Sequence, residues 1–193
     1  MLENFWFNVK IGLDHILDIN GYDHILFLMV MAVPYVFKDW KRVLILVSIF
    51  TIGHSISLVL GAYNVVTVNG KTVEFLIPLT ILIAAVYNVF TAGKKSRSNK
   101  MGLLFFTTLF FGLIHGLGFA REFKMIADDS LSFLLEFALG IEIAQIIIVF
   151  IVLFLGFLFQ TIFRFSRRDW VMVLSSIVIG LVIPMIIQSD LLK

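Results

Sequence analysis

The sequence predicts an all-α, polytopic membrane helix bundle: six transmembrane helices, or seven if the N-terminal segment also crosses, plus an N-terminal amphipathic helix. Three observations lead there. Of 193 residues, 60% are hydrophobic and 15% charged, against about 45–50% and about 25% in a soluble domain. A mean hydropathy of +1.03 leaves too few polar groups to cover one soluble core, which excludes a soluble globular enzyme and a disordered chain. Apolar residues run on continuously near the ~20 that cross a bilayer as helix, where barrel strands would alternate over about ten. Basic residues, finally, gather at every second loop. With three Pro and 13 Gly, collagen-like and low-complexity chains drop out. The absence of Cys removes disulfides, thiolate ligands and thiol nucleophiles.

Residues 1–20 mix Phe5, Trp6, Val9, Ile11, Leu13, Ile16 and Leu17 with Glu3, Lys10, Asp14 and Asp18. This is too polar for a span and lacks the layout of a signal peptide. It reads as an amphipathic segment on the outer membrane face, with a degenerate seventh span as the alternative. Residues 21–193 read as one six-helix transmembrane domain. The first span, Tyr22 to Phe37, is short and ends near Pro34 and Lys38-Asp39-Trp40-Lys41-Arg42. The others run from Val43 to Tyr63, Thr72 to Phe90, Met101 to Ala120, Leu131 to Phe163 and Trp170 to Gln188. The fifth exceeds what a bilayer needs and is expected to tilt or project.

The loops after spans one, three and five carry Lys38, Lys41, Arg42; Lys94, Lys95, Arg97, Lys100; and Arg164, Arg167, Arg168. That is ten of the fifteen Lys and Arg, the rest being Lys10, Lys71, Arg121, Lys124 and Lys193. Strict alternation satisfies the positive-inside rule with both termini outside the cytoplasm. The expected location is the inner (plasma) membrane. Basic runs also occur in nucleic-acid binders, but spacing at every second loop fits topology, and no nucleic-acid partner is expected.

No Lys or Arg falls inside a span. The intramembrane polar residues are His, Asp, Glu, Asn and Gln, which are costly in hydrocarbon and default to a functional reading. At 1.5 Å of rise per residue, Asp23, His24, His54, Glu74, His115, Glu136 and Glu142 all fall in the outer half, with His15 just upstream on the outer segment. Gln145 shares the face of Glu142. Imidazole with carboxylate suits a divalent transition metal such as Ni, Co or Zn, and an apolar bundle favours the neutral imidazole that binds metal. Met29, Met31 and Met125 keep copper open. The candidate ligands are His24, Asp23, His54, His115, Glu142, Glu74 and His15.

Each has a plainer reading. Asp23 is placed to cap a helix, and Glu74 to complement a helix dipole. His54 suits an interhelical hydrogen bond, and His115 adjoins the small-residue face of Gly112 and Gly116. His15 is placed as a surface histidine. Glu136 lies about 240° around the helix from Glu142, so one site takes only one of them, and the deeper Glu142 is preferred. Asn88, at the cytoplasmic end, reads as a packing residue.

Several of these positions lie in motifs. His15-Ile16-Leu17-Asp18-Ile19-Asn20-Gly21-Tyr22-Asp23-His24, Phe50-Thr51-Ile52-Gly53-His54-Ser55, Glu74-Phe75, Phe111-Gly112-Leu113-Ile114-His115-Gly116-Leu117-Gly118-Phe119-Ala120 and Leu139-Gly140-Ile141-Glu142-Ile143-Ala144-Gln145 together resemble the HupE/UreJ family over nearly the whole chain. His15-Ile16 stands where the best-known branch has His-Pro, so the likeness is to the second branch. The His15–His24 spacing is also longer than the usual signature. The resemblance implies nickel or cobalt permeation.

Three functions follow as expectations. One is a permease for a divalent metal (Ni/Co or Zn class), binding in the outer half. Another is a zinc-dependent intramembrane hydrolase at the outer leaflet, with Glu142 or Glu74 as general base. The last is a metal sensor or storage partner. The lipid bilayer and a metal ion are the expected partners, and a homo-oligomer is left open.

Overall fold

The computed structural model describes residues 2–94, 101–126 and 130–191. Lys95, Arg97, Lys100 and Lys193 lie outside the described residues. Those described form seven α-helices: α1 (Leu2–Leu17), α2 (Asp23–Ala32), α3 (Trp40–Ala62), α4 (Gly70–Thr91), α5 (Met101–Ile126), α6 (Leu131–Thr161) and α7 (Arg167–Gln188), with a 3-10 turn at Phe37–Asp39 before α3. Helices α3 to α7 are each long and apolar enough to cross a membrane, and the chain is a multi-pass membrane protein.

The first expected span differs. It is helical only over the ten residues of α2, ~15 Å, half of a ~30 Å hydrocarbon core. The cause is Pro34, which has no N–H for the carbonyl of Val30 and whose ring clashes there. Asn88 of α4 supplies the missing donor: its Nδ2 bonds Val30 O at 2.7 Å. A polar side chain only 3% exposed is thereby explained. Among the described residues, five helices of spanning length result, not the expected six. Helix α5 also runs to Ile126, beyond the expected Ala120, so His115 stands near its middle.

Side chains set the helix starts. Asn69 accepts from Lys71 N (3.0 Å), Ser130 from Phe133 N (3.1 Å) and Ser166 from Asp169 N (3.1 Å), each satisfying an N–H the helix leaves free.

Glycine governs two close approaches. Helices α3 and α5 run parallel, since residues 50, 54, 57 and 61 meet 112, 116 and 120 in ascending order. A Cβ on Gly112 or Gly116 would strike the carbonyl oxygens of Phe50 and His54, so these backbones touch only because the residues are glycine. Gly12 of α1 meets the carbonyl of Phe137, and Gly140 of α6 that of Val9. Helix α1 therefore packs against α6, burying Val9 and Ile16 while Trp6 and Phe7 stay exposed.

At one end Arg167 donates to Pro34 O and Arg168 lies against Gly93. The three segments after α2, α4 and α6, which hold the described basic loop residues, therefore meet there. At the other end Lys71 and Asp190 approach at 4.0 Å.

Candidate metal centre

The last turn of α1 carries His15, the second position of α2 carries His24, and the middles of α3 and α5 carry His54 and His115. His54 and His115 each lie fourteen residues beyond the first residue of their helix, ~21 Å along the axis, so the parallel pair holds them level. Ring centroids lie 4.8 Å apart for His15–His24, 5.6 Å for His15–His54, 5.7 Å for His24–His54 and 5.2 Å for His24–His115. One nitrogen each from His15, His24 and His54 falls within 4.8 Å of the other two. Metal–nitrogen bonds of ~2.0–2.1 Å would place such atoms ~3.4 Å apart in a tetrahedron, a difference that side-chain rotation covers.

The hydrogen bonds around the rings leave a defined set of lone pairs. Asp23 Oδ1 sits 3.0 Å from His24 Nδ1 and accepts from His24 N at 2.8 Å. His115 Nδ1 bonds Phe111 O at 2.8 Å. A carbonyl only accepts, so Nδ1 of His115 carries the proton and Nε2 is left as an acceptor; beside the Asp23 carboxylate the same holds for His24. The Nε2 atoms of His15, His24, His54 and His115, and Nδ1 of His54, are buried without a hydrogen-bond partner. An orphaned buried polar atom costs about 1–3 kcal/mol. These nitrogens belong to four imidazoles at one place, of which His54 is 0%, His115 1% and His24 6% exposed, and each neutral ring offers one lone pair. That chemistry fits a borderline transition metal.

Aromatic rings enclose the set. Phe119 packs on His15 with centroids 3.9 Å apart, and Phe50 lies 5.3 Å from His115 and 6.0 Å from His54.

The carboxylates are distributed differently. Asp23 bonds His24, while Tyr22 occupies the N-cap position of α2. Glu142 accepts from Ser48 Oγ at 2.6 Å and from Thr51 Oγ1, and Thr51 Oγ1 also lies 3.4 Å from Gln145 Oε1. Thr51 precedes His54 by three residues, ~4.5 Å along the axis, so Glu142 stands in the α3–α6 seam nearer the basic end. Glu136 accepts from Asn8 Nδ2 at 2.7 Å and ties α1 to α6. Glu74 is exposed and outside the histidine group. Sequence reasoning missed the pairing of Ser48 and Thr51 with Glu142. The available signal was their spacing of three residues on the α3 face that also leads to His54.

No curated protein and no solved structure matches this chain. The family model for the HupE / UreJ protein matches residues 1–189, and the chain belongs to that family.

Proposed function

We propose that the protein is a permease for a divalent transition metal, of the nickel or cobalt class that its family membership favours, and that His15, His24, His54 and His115 bind the ion as cargo. The observation that carries this reading is the convergence of unpartnered imidazole nitrogens from four helices in an apolar interior. Asp23 then acts by orienting His24: a carboxylate on Nδ1 fixes the tautomer and strengthens Nε2 as a ligand. Glu142 serves as a separate polar station and Glu74 takes no part.

The broken path of the N-terminal chain supports movement of the ion. Helix α1 ends and α2 begins at the histidine group, and interrupted helices whose ends face the ion site are a recurrent transporter device. The hydrolase reading is less favoured, since neither Glu142 nor Glu74 stands in the histidine group to serve as base. In orientation, the basic end is assigned to the cytoplasm and both termini to the outside of the inner membrane.

Reconstitution into liposomes loaded with a metal-sensitive dye tests this. Uptake of Ni²⁺ or Co²⁺ by the parent, abolished in His54→Ala, is the expected result. Binding without uptake would replace the permease with a sensor or store. The absence of bound metal, by elemental analysis of the purified protein, would remove the site altogether.

A further inference from the structure

On the basic side of the histidine group lies a cavity of about 290 Å³. It exists because α2 stops at Ala32, leaving open the room that a full-length span would fill between α3, α4 and α5. Its walls reach Tyr87 and Leu104, each within about a turn of the basic end of its helix, α4 and α5. The lining holds no Asp, Glu, Lys, Arg or His and is mainly apolar, with Tyr35, Tyr87, Asn88, Thr107 and Thr108 as its polar residues. The cavity has room for several waters.

Between cavity and histidines stand three rings. Phe27 and Phe50 stack with centroids 4.8 Å apart, and Phe111 meets Phe27 edge-on at 5.4 Å. Phe27 and Phe111 line the cavity on one side. On the other, Phe27 lies 5.5 Å and Phe50 5.3 Å from His115, and Phe50 is 6.3 Å from His24. Phe27 and Phe50 are 2% and 0% exposed and Phe111 is half-buried, so the Phe27–Phe50 pair makes the dry part of the layer.

We propose that this cavity is the vestibule through which the ion leaves the histidines, and that Phe27, Phe50 and Phe111 form the hydrophobic gate between the two. The proposal rests on the permease reading. A dry aromatic layer excludes a divalent ion, because no group in it replaces lost hydration, and such constrictions open by wetting. Once past the rings, the ion is rehydrated by vestibule water. No second set of charged or imidazole ligands is then required along the vestibule, whose lining holds none.

The cysteine-free chain allows a direct test. Thr107→Cys places one thiol in the cavity, in protein reconstituted with known orientation. A charged, membrane-impermeant thiosulfonate should label it from the basic-loop side and not from the other. Adding Phe50→Ala, or Phe111→Ala if the first variant fails to fold, should raise labelling from the opposite side about tenfold as the dry layer is breached. Equal labelling from both sides in the Thr107→Cys protein, no labelling from the basic side, or no effect of the gate variants would overturn the proposal. In flux, Ala84→Trp, which fills the vestibule, should lower uptake about tenfold with metal still bound at the histidines, as for a blocked pore. Unchanged uptake would overturn it equally. A parent protein that binds metal but carries none would instead defeat the permease reading, while the thiol pattern still reports whether gate and vestibule exist.

Discussion

At the scale of single residues, Asp23 illustrates how a carboxylate would serve the proposed ion site by holding one of its imidazoles. Its Oδ1 bonds both His24 N and His24 Nδ1, which fixes the ring and leaves Nε2 as the nitrogen with a free lone pair. Removing such a partner costs about 10–100-fold in metal affinity. Asp23→Ala should therefore weaken Ni²⁺ or Co²⁺ binding by about that factor, measured by competition with a chromophoric chelator, while Asp23→Asn, which keeps an acceptor oxygen, retains more. Equal affinities in parent and Asp23→Ala would show that His24 needs no orientation. Glu142 makes a contrasting case. Its depth and its shared face with Gln145 can be read from the sequence, but the direction of that face depends on the rotation of α6 about its own axis. The structure turns it toward Ser48 and Thr51, and no period in the sequence encodes that rotation. Glu142→Gln should accordingly leave metal stoichiometry at the histidines unchanged, checked by elemental analysis.

At the scale of elements, two glycine contacts position the site. Gly112 and Gly116 bring α5 against the carbonyls of Phe50 and His54, which sets His115 beside His54. The small-residue pattern was legible because its four-residue spacing marks one helix face. Gly140 plays the same part for α1, the helix that delivers His15. Gly140→Ala should push α1 off α6 and destabilise the protein by about 1–3 kcal/mol, the usual cost of overpacking. The thermal midpoint of the detergent-solubilised protein reads this, and metal binding should weaken with it. An unchanged midpoint would mean that α1 is not held by this contact. Helix α2 was less legible. Pro34 marks a stop in any reading, but the length lost there depends on Asn88, 54 positions away in sequence, accepting the role of donor to Val30 O. Long-range satisfaction of a backbone group has no local signature, so a short helix reads as a short span.

At the scale of the whole molecule, the alternation of basic loops is the strongest topological signal, and it was available from counting alone. The structure adds that the segments after α2, α4 and α6 converge, through Arg167 on Pro34 and Arg168 against Gly93. Five crossings from α3 to α7 then carry the chain from the basic end to the opposite one. The short pair α1 and α2 meets at the histidine group. Its two helices come to ~24 Å and ~15 Å from 16 and ten residues, so neither alone matches the bilayer. If Lys and Arg are retained on the cytoplasmic side, the C-terminus after α7 is predicted to emerge on the other side. A C-terminal alkaline phosphatase fusion expressed in a bacterial host should therefore be active, and a C-terminal green fluorescent protein fusion dark. The same pair fused after Lys94, in the basic loop, should give the inverse pattern. A fluorescent C-terminal fusion would invert the bundle. It would place the vestibule at the outer surface and reverse the direction in which the gate opens, so this measurement decides which face of the molecule receives the ion.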